Sequence, residues 1–317
     1  MVPDHLFDPS GYDAQIVTPP EAASPAVSAQ NEVLAVETEA LALDRETTFV
    51  PGDDGLPARK VALHSLDKAH YARYYADIVG RAMKNAFPGP LAWVELFAGP
   101  GRLYVKELEA FKPGSPVEAV GIKSPFDIYV FADLDERCVT ALQQRVGERP
   151  GVHVLQGNAN AADLHDRILE LVPRDALFVL YADPSGLHLH FETLRFFADR
   201  YKHLDLLLNF PVPGIDRALS AGHEGKASLV LNHPSPVELI GPGSGRPGTS
   251  LRQWFERQLG TLGYTEFAAE SIKLHAKNVP LYDLMLASRQ PRARQFFEEA
   301  RKRGPGGQVA MTFDLGI

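Results

Sequence analysis

Short apolar runs alternate with amphipathic segments over the middle of the chain. The runs are too short for helices and suit strands that are buried on both faces, at residues 92–97, 128–132, 152–156, 176–182 and 204–209. Segments with apolar residues at helical spacing separate the later runs, at residues 136–146, 161–171 and 191–200. This alternation predicts right-handed βαβ units and an α/β fold with a doubly wound, mostly parallel sheet.

The pattern changes on both sides of this region. A helical stripe over residues 67–84 must end before Pro88 and Pro90. After Pro213, the Gly- and Pro-rich residues 214–249 predict a loop insertion beside the sheet. The remaining predicted elements are a helix at 250–262, strands at 266–272 and 281–287, the last of them antiparallel, and a basic helix at 292–303.

Charge divides the chain into unequal parts. The net charge is −8, but residues 1–57 hold eleven acids and one Arg, so the rest has 31 basic and 29 acidic side chains. The acidic segment is almost free of aromatic residues and predicts a disordered arm over residues 1–52. Within it, residues 31–43 have helical spacing, which indicates either a transient helix or a partner-binding helix. A domain at 53–290 and a basic helix and tail at 291–317 follow.

Composition excludes several classes of protein. No stretch approaches about 18 apolar residues, and the amino terminus lacks the basic and apolar regions of a signal peptide. We therefore expect a soluble, cytoplasmic protein. Cys138 is the one cysteine, so it cannot form an internal disulfide or a thiolate metal cage, and no metal site is predicted.

The first predicted strand contains an acid and leads into a Gly-rich loop. Glu95 lies in an otherwise apolar run, and a buried carboxylate needs a hydrogen-bond partner or a cationic ligand. The loop that follows contains Gly99, Pro100 and Gly101, which would let a ligand approach the backbone, although a tight turn is the alternative. Ligands of doubly wound folds bind at this end of the sheet.

The second predicted strand ends in Asp133, with Asp135 two residues later. An acid at this position typically accepts hydrogen bonds from ribose hydroxyls. Asp133 follows Gly101 by 32 residues, more than the usual twenty or so, and an insertion at 102–114 accounts for the difference. The residues from Ser115 to Glu118 match a capping box that starts the delayed helix.

Three further strand ends carry polar residues. Asn158 follows the third strand and could contact an adenine edge, with an Asx turn as the alternative. The fourth strand ends in Asp183, which is placed to act as a base or amine acceptor, unless it caps the next helix. The fifth ends in Asn209, which orients the acceptor or satisfies loop backbone. Packing does not require these groups, so together they indicate a ligand site.

These motifs resemble two known groups of proteins. The run from Val94 to Gly101, followed by Asp133, resembles the first two motifs of class I S-adenosylmethionine-dependent methyltransferases. LFAGPGR, GSPVEAV, DDGLPA, DPSGL, PLYDLMLAS and a K-x₅-Y helix at Lys68 and Tyr74 together resemble the three-Cys-motif partner protein family over residues 53–290. The resemblance implies a Rossmann-like methyltransferase sheet and a separate small protein with three cysteines as a partner.

The resemblance also implies roles for individual residues. S-adenosyl-L-methionine is the implied cofactor, with Gly99 and Gly101 near its methionine part, Asp133 on the ribose and Asn158 near the adenine. Asp183 and Asn209 are the catalytic candidates. The full cofactor set is Glu95, Phe97, Gly99, Pro100, Gly101, Asp133, Asp135 and Asn158, and the substrate set is Pro184, Ser185, Phe210 and Arg102.

The fourth motif departs from that of adenine amino-methyltransferases, in which an aromatic residue stacks on the extruded base. Ser185 and Gly186 replace the second Pro and the aromatic, so Phe210 or Tyr181 would have to stack instead. The predicted function is methyl transfer to an amine or hydroxyl of nucleic acid or protein. The alternatives are an inactive cofactor-fold scaffold and, since the loop lacks a third Gly, a less favoured Rossmann oxidoreductase.

A cluster of cations lies near the carboxyl terminus, interleaved with Phe296 and Phe297. It indicates an amphipathic surface helix with its Phe pair on the core, or a patch that contacts nucleic-acid phosphates. The cations of the second alternative are Arg292, Arg294, Arg301, Lys302 and Arg303.

Overall fold

The computed structural model describes residues 49–240, 247–274 and 279–304. Within these ranges the fold is built on two β-sheets. The strands are β1 (Phe49–Pro51), β2 (Pro57–Val61), β3 (Leu91–Leu96), β4 (Arg102–Val105), β5 (Ala110–Pro113), β6 (Ile128–Asp133), β7 (Val152–Gln156), β8 (Leu177–Ala182), β9 (Leu204–Phe210), β10 (Glu266–Leu274) and β11 (Val279–Ser288). The predicted strands of the central pattern agree with β3, β6, β7, β8 and β9 to within one residue at each end.

The larger sheet has seven strands in the order β7-β6-β3-β8-β9-β11-β10. The first five are parallel, and the chain reverses direction of winding between β3 and β8. β11 is antiparallel to both β9 and β10. The predicted α/β class, the doubly wound order and the antiparallel last strand are therefore confirmed. Ligands of such sheets bind beyond the carboxyl ends of the strands, where winding reverses.

Helices cover both faces of this sheet. They are α1 (His64–Met83), α2 (Ser115–Val120), α3 (Glu136–Val146), α4 (Ala162–Leu171), α5 (Phe191–Ala198), α6 (Val212–Ser220), α7 (Glu224–Leu231), α8 (Pro247–Thr261) and α9 (Pro291–Lys302). Successive β3 residues point to opposite faces, so Val94 joins the core beneath α4, α5 and α8, whereas Trp93 joins the core beneath α1, α3 and α9. Both cores are apolar, which fixes the register of the strands.

The prediction of irregular structure after Pro213 is wrong. The composition of residues 214–249 predicts a loop, but α6, α7 and a 3₁₀ helix (Pro236–Ile240) account for much of that stretch. Pro213 lies in the first turn of α6, where a missing N–H costs nothing. Leu219 and Leu231 are buried, so packing on the sheet stabilises helices that the Gly and Pro content obscured.

The insertion at 102–114 forms the β4–β5 hairpin of a second, four-stranded sheet, in the order β1-β2-β4-β5. Arg59 of β2 pairs in register with Leu103 of β4, and these two strands are parallel. The small sheet therefore joins the segment before β3 to the segment directly after the Gly-rich loop.

Some expectations concern residues outside the described part of the chain. They are the acidic arm up to residue 48, with its helical spacing at 31–43, residues 241–246 near the end of the 214–249 insertion, and the tail from residue 305. Among the described residues, no helix is long and apolar enough to cross a membrane.

Candidate active site

A cleft of about 400 Å³ opens beyond the carboxyl ends of β3, β8 and β9. This volume is within the range of sites that bind small molecules and cofactors. The loops after β3 and β8 line it, together with side chains from β2, α1 and β11. The predicted site residues that line it are Phe97, Gly99, Pro100, Gly101, Asp183, Pro184, Ser185 and Asn209. The structure thus brings residues from separate strand ends to the point where winding reverses.

The Gly-rich loop has an unusual backbone. Gly99 and Gly101 have φ values of 66° and 76°, a left-handed region that favours glycine. A Cβ at Gly99 would meet no heavy atom within 4 Å, whereas one at Gly101 would lie 2.7 Å from Leu142 Cδ1. The two positions therefore differ in their surroundings. Gly99 borders open space, whereas Gly101 packs so closely on α3 that a Cβ would not fit. Phe97 also has positive φ, 63°, which is strained for a bulky residue and typical of functional sites.

Asp133 holds this loop in place. Its Oδ2 accepts a hydrogen bond from the Gly99 N–H at 2.8 Å, and its Oδ1 accepts one from the Asp135 N–H at 2.9 Å. Asp135 in turn caps α3 by accepting from the Arg137 N–H at 2.9 Å. Both carboxylate oxygens of Asp133 therefore accept from backbone groups, and contact of Asp133 with a ribose hydroxyl stays a prediction. Asp133 and Asp135 are not among the described residues that line the cleft.

Asn158 forms an Asx turn, which was the alternative prediction to a contact with adenine. Its Oδ1 accepts from the Asn160 N–H at 3.0 Å, which is an Asx turn. Asn160 carries the longer-range contacts: its Nδ2 donates to the His188 carbonyl at 2.7 Å, and its Oδ1 accepts from the His190 N–H at 2.9 Å. These bonds tie the loop after β7 to the loop after β8.

Glu95 is a buried acid beneath the cleft, with 1% of its surface exposed. Its Oε1 accepts a hydrogen bond from the Ser115 hydroxyl. The nearby Trp93 indole lowers the pKa of Glu95. Glu95 Oε2 nevertheless has no hydrogen bond of normal geometry to any described residue. Burial, which outweighs the effect of Ser115 and is reinforced by the charge of Asp183, raises the pKa of Glu95 to about 8. At neutral pH this carboxyl is therefore protonated.

The Ser115 contact replaces the predicted capping box. The N-cap of α2 is Gly114, and no side chain caps the helix. The Ser115 hydroxyl bonds to Glu95 instead, and Glu118 forms an ion pair with Arg73 at 2.7 Å. The helix does begin at Ser115 as expected, with Pro116 in its first turn.

Asp183 lies at the centre of a polar cluster on the cleft floor. Its Oδ1 accepts from Lys68 Nζ at 2.5 Å and from Asn209 Nδ2 at 2.8 Å. Among the described residues no donor bonds to its Oδ2. The N-cap of α5 is His190, so Asp183 does not cap that helix. Asn209 also contacts the Pro184 carbonyl at 3.4 Å, while its own Oδ1 has no partner within the described ranges.

Two tyrosines border this cluster. Tyr181 is fully buried, lines the cleft, and its hydroxyl has no hydrogen-bond partner in the described part of the chain. The Lys68 ammonium lies 5.1 Å from the centre of the Tyr282 ring, within cation–π range. Burial raises the pKa of both phenols, so they stay protonated at physiological pH. The floor therefore offers several polar groups that have no hydrogen-bond partner in the described part of the chain, which is typical of a ligand site.

Two predicted substrate residues lie elsewhere. Phe210 is 2% exposed, and its ring stacks on Phe255 with centroids 4.6 Å apart, so it packs in the core rather than on the cleft. Arg102 forms a bidentate ion pair with Asp53 and does not line the cleft. Tyr181, the other candidate for stacking on a base, is fully buried and likewise presents no free ring face.

Sequence reasoning missed the residues that reach the site from outside the central pattern. Lys68 is 115 positions from Asp183 and comes from α1. Arg145, whose side chain is 7% exposed, donates to the Pro100 carbonyl at 2.6 Å and to the Pro57 carbonyl at 2.7 Å, joining the Gly-rich loop to β2. The K-x₅-Y motif was the one signal that marked Lys68, and nothing in the local sequence marks Arg145.

The basic carboxyl-terminal helix, α9, packs by its apolar face. Phe297 is fully buried and lies 6.2 Å from the Tyr75 ring of α1. Arg301 pairs with Glu270 at 2.6 Å, and Lys302 pairs with Glu299 at 2.6 Å. This geometry fits the amphipathic surface helix, while contact of the remaining cations with nucleic acid stays a prediction.

Comparison with solved structures finds proteins of low sequence identity, among them two that are described as methyltransferases. A DszA carbon methyltransferase is 15% identical with a TM-score of 0.42, over 66% of this chain and 50% of that one. An O-methyltransferase from Bacillus cereus in complex with SAH is 11% identical with a TM-score of 0.38, over 69% and 80%. Protein LPL1258 from Legionella pneumophila is 12% identical with a TM-score of 0.46, over 76% and 94%. No protein-family model and no curated protein matches the chain.

Proposed function

We propose that the chain binds S-adenosyl-L-methionine in the cleft and transfers its methyl group to an amine or hydroxyl of a nucleic-acid or protein substrate. The observation that carries the proposal is that the buried acid Glu95 and the open Gly-rich loop come from the same strand, β3, and the turn directly after it. A nearby ammonium favours the charged form of a carboxyl, so Glu95, whose Oε2 has no partner among the described residues, would release its proton as the cofactor binds and pair with the cofactor ammonium. The open, left-handed backbone at Gly99 fits the methionine part of the cofactor. The resemblance of the strand and loop to the first motif of class I methyltransferases favours the same cofactor.

The cofactor supplies an electrophilic methyl group on a sulfonium. Transfer forms a bond from the acceptor nitrogen or oxygen to that methyl carbon and breaks the carbon–sulfur bond, so the acceptor must lose a proton. Asp183 Oδ2 is placed to orient the acceptor and receive that proton. Asn209 and Lys68 hold the other oxygen, which fixes the position of the carboxylate.

A second candidate function is a cofactor-binding scaffold without turnover. Lys68 supports it, because its ammonium lies 2.5 Å from Asp183 and an acceptor would have to share that carboxylate. In either case we propose a separate partner protein, and the family resemblance favours a small protein with three cysteines.

Labelled-cofactor transfer tests the proposal. Wild-type protein is incubated with labelled S-adenosyl-L-methionine and pools of nucleic acid or protein, beside Asp183→Ala and the matched variant Asp166→Ala, which removes an exposed acid of α4. We expect Asp183→Ala to reduce transfer at least ~100-fold, in line with the loss of a general base. Asp166→Ala keeps full activity, and calorimetry shows cofactor binding in all three.

The other outcomes separate the candidates. Cofactor binding by the wild type without transfer to any pool assigns the scaffold. Absence of cofactor binding, with tight binding of NAD, refutes the methyltransferase and assigns an oxidoreductase.

A further inference from the structure

Four cationic residues are among those that line the cleft. Arg59 and Lys60 reach it from β2, Lys68 from α1, and Arg217 from α6. Lys68 is paired with Asp183. The Nε of Arg217 donates to the Pro213 carbonyl at 3.2 Å. Neither Arg59 nor Lys60 forms an ion pair with any residue in the described ranges, and the same holds for Arg217.

The charges of the cleft do not balance. Four Lys or Arg side chains line it, and Asp183 is the acid among its described lining residues. Glu95, directly beneath, can add one more negative charge when it ionises. S-adenosyl-L-methionine makes the imbalance larger, because its sulfonium and ammonium outweigh its carboxylate. That carboxylate can occupy one cation, which leaves the others for a second anion.

We propose that this second anion is the phosphate backbone of a single-stranded nucleic acid, with one nucleotide inserted into the cleft as the methyl acceptor. Lys60 from β2 and Arg217 from α6 contact phosphates, and Arg59 contacts either a phosphate or the cofactor carboxylate. The inference rests on the proposed function, since it names the acceptor class for the same site.

The aromatic lining favours nucleic acid over an acidic protein segment. Arginine forms two parallel hydrogen bonds with phosphate and with carboxylate alike, so the cations by themselves do not distinguish the two. The rings of Phe97 and Tyr282 line the cleft, and bases stack on aromatic side chains without regard to sequence. A base inside a duplex is stacked and paired, so an acceptor base that enters the cleft is single-stranded or extruded.

Matched charge reversals test the inference. Lys60→Glu/Arg217→Glu removes two of these cations. The control is Lys112→Glu/Lys226→Glu, which makes the same change in net charge on β5 and α7, outside the cleft lining. Binding of a fluorescein-labelled single-stranded RNA or DNA of about 20 nucleotides, longer than typical single-strand sites, is followed by anisotropy over a salt series.

We expect the Lys60→Glu/Arg217→Glu variant to bind the oligonucleotide at least ~10-fold more weakly at low salt. The slope of log affinity against log salt should become shallower by ~1.4, because the variant no longer neutralises two of the phosphates. The control variant keeps the wild-type slope. Both variants bind S-adenosyl-L-methionine in calorimetry with wild-type affinity.

Several results would overturn the inference. Equal losses of affinity in the two variants assign the binding to general surface charge, and no loss in either removes nucleic acid from this cleft. Weaker cofactor binding in the Lys60→Glu/Arg217→Glu variant assigns the cations to the cofactor. Wild-type protein that binds cofactor but no oligonucleotide refutes this inference alone, whereas failure to bind the cofactor refutes the proposed function.

Discussion

The two ends of the larger sheet each contain a buried carboxylate, and the two differ in how they are satisfied. Asp205, near the amino end of β9, accepts from the Tyr75 hydroxyl at 2.9 Å and from the Ser288 hydroxyl at 2.5 Å. Glu95, near the carboxyl end of β3, has one partner, Ser115, and one oxygen without a normal hydrogen bond. Burial raises the pKa of Asp205 to about 6 and that of Glu95 to about 8.

We infer from this difference that Asp205 has a structural role and that Glu95 has a role in ligand binding. Asp205 has a donor on each oxygen, so it is fully satisfied inside the protein and stabilises the contact between α1, β9 and β11. Glu95 lacks such a set, and a site that leaves a buried oxygen open is destabilised until a ligand supplies a donor. The three predictions below test this contrast.

The largest expected effect is on stability, from Asp205→Ala. The variant leaves the Tyr75 and Ser288 hydroxyls buried without their acceptor, so we expect the free energy of unfolding to fall by about 2 to 4 kcal/mol. Urea denaturation measures this change, and calorimetry should show unchanged affinity for S-adenosyl-L-methionine. If the variant has wild-type stability, Asp205 does not have this structural role.

The next effect is on binding, from Glu95→Gln. The amide keeps the shape of the side chain and can still accept from Ser115, but it cannot carry the negative charge that pairs with an ammonium. We expect roughly 10- to 150-fold weaker binding of S-adenosyl-L-methionine, equivalent to one lost charged hydrogen bond. The matched isosteric control is Asp205→Asn, for which affinity is retained. Equal affinities in the two variants would mean that Glu95 has no contact with the cofactor.

The smallest effect is on pH dependence. Because the folded protein keeps a proton on Glu95 that the unfolded chain releases above about pH 4.5, the free energy of unfolding falls as pH rises towards 8. Between about pH 7 and 8 the shifted groups Asp205 and His165 are largely deprotonated in both states and contribute little. We expect a decline of at most about 1.4 kcal/mol for each pH unit in this window.

The same Glu95→Gln variant provides the comparison for that measurement. Without an ionisable group at this position, its free energy of unfolding stays level across the window, as followed by urea denaturation at each pH. A parallel decline in wild type and variant would assign the pH dependence to another group.

Much of the sheet could be predicted from local pattern. Runs such as residues 152–156 agree with the strand that forms, because strands buried on both faces leave a continuous apolar signal. The helices of the 214–249 region were missed for the opposite reason. Their Gly and Pro residues lower the intrinsic propensity, and burial of side chains such as Leu231 against distant elements supplies the stability.

The sequence by itself determined the strand ends and the residues that follow them, since Gly99, Asp183 and Asn209 each lie at or just beyond the end of an apolar run. Only the tertiary structure decided which of these groups are satisfied. Lys68 reaches Asp183 across 115 positions, Ser115 turns from its own helix to Glu95, and Phe210 packs away from the cleft. Hydrogen bonds between distant segments depend on how helices and sheets pack, and the local spacing of residues along the chain does not predict that packing.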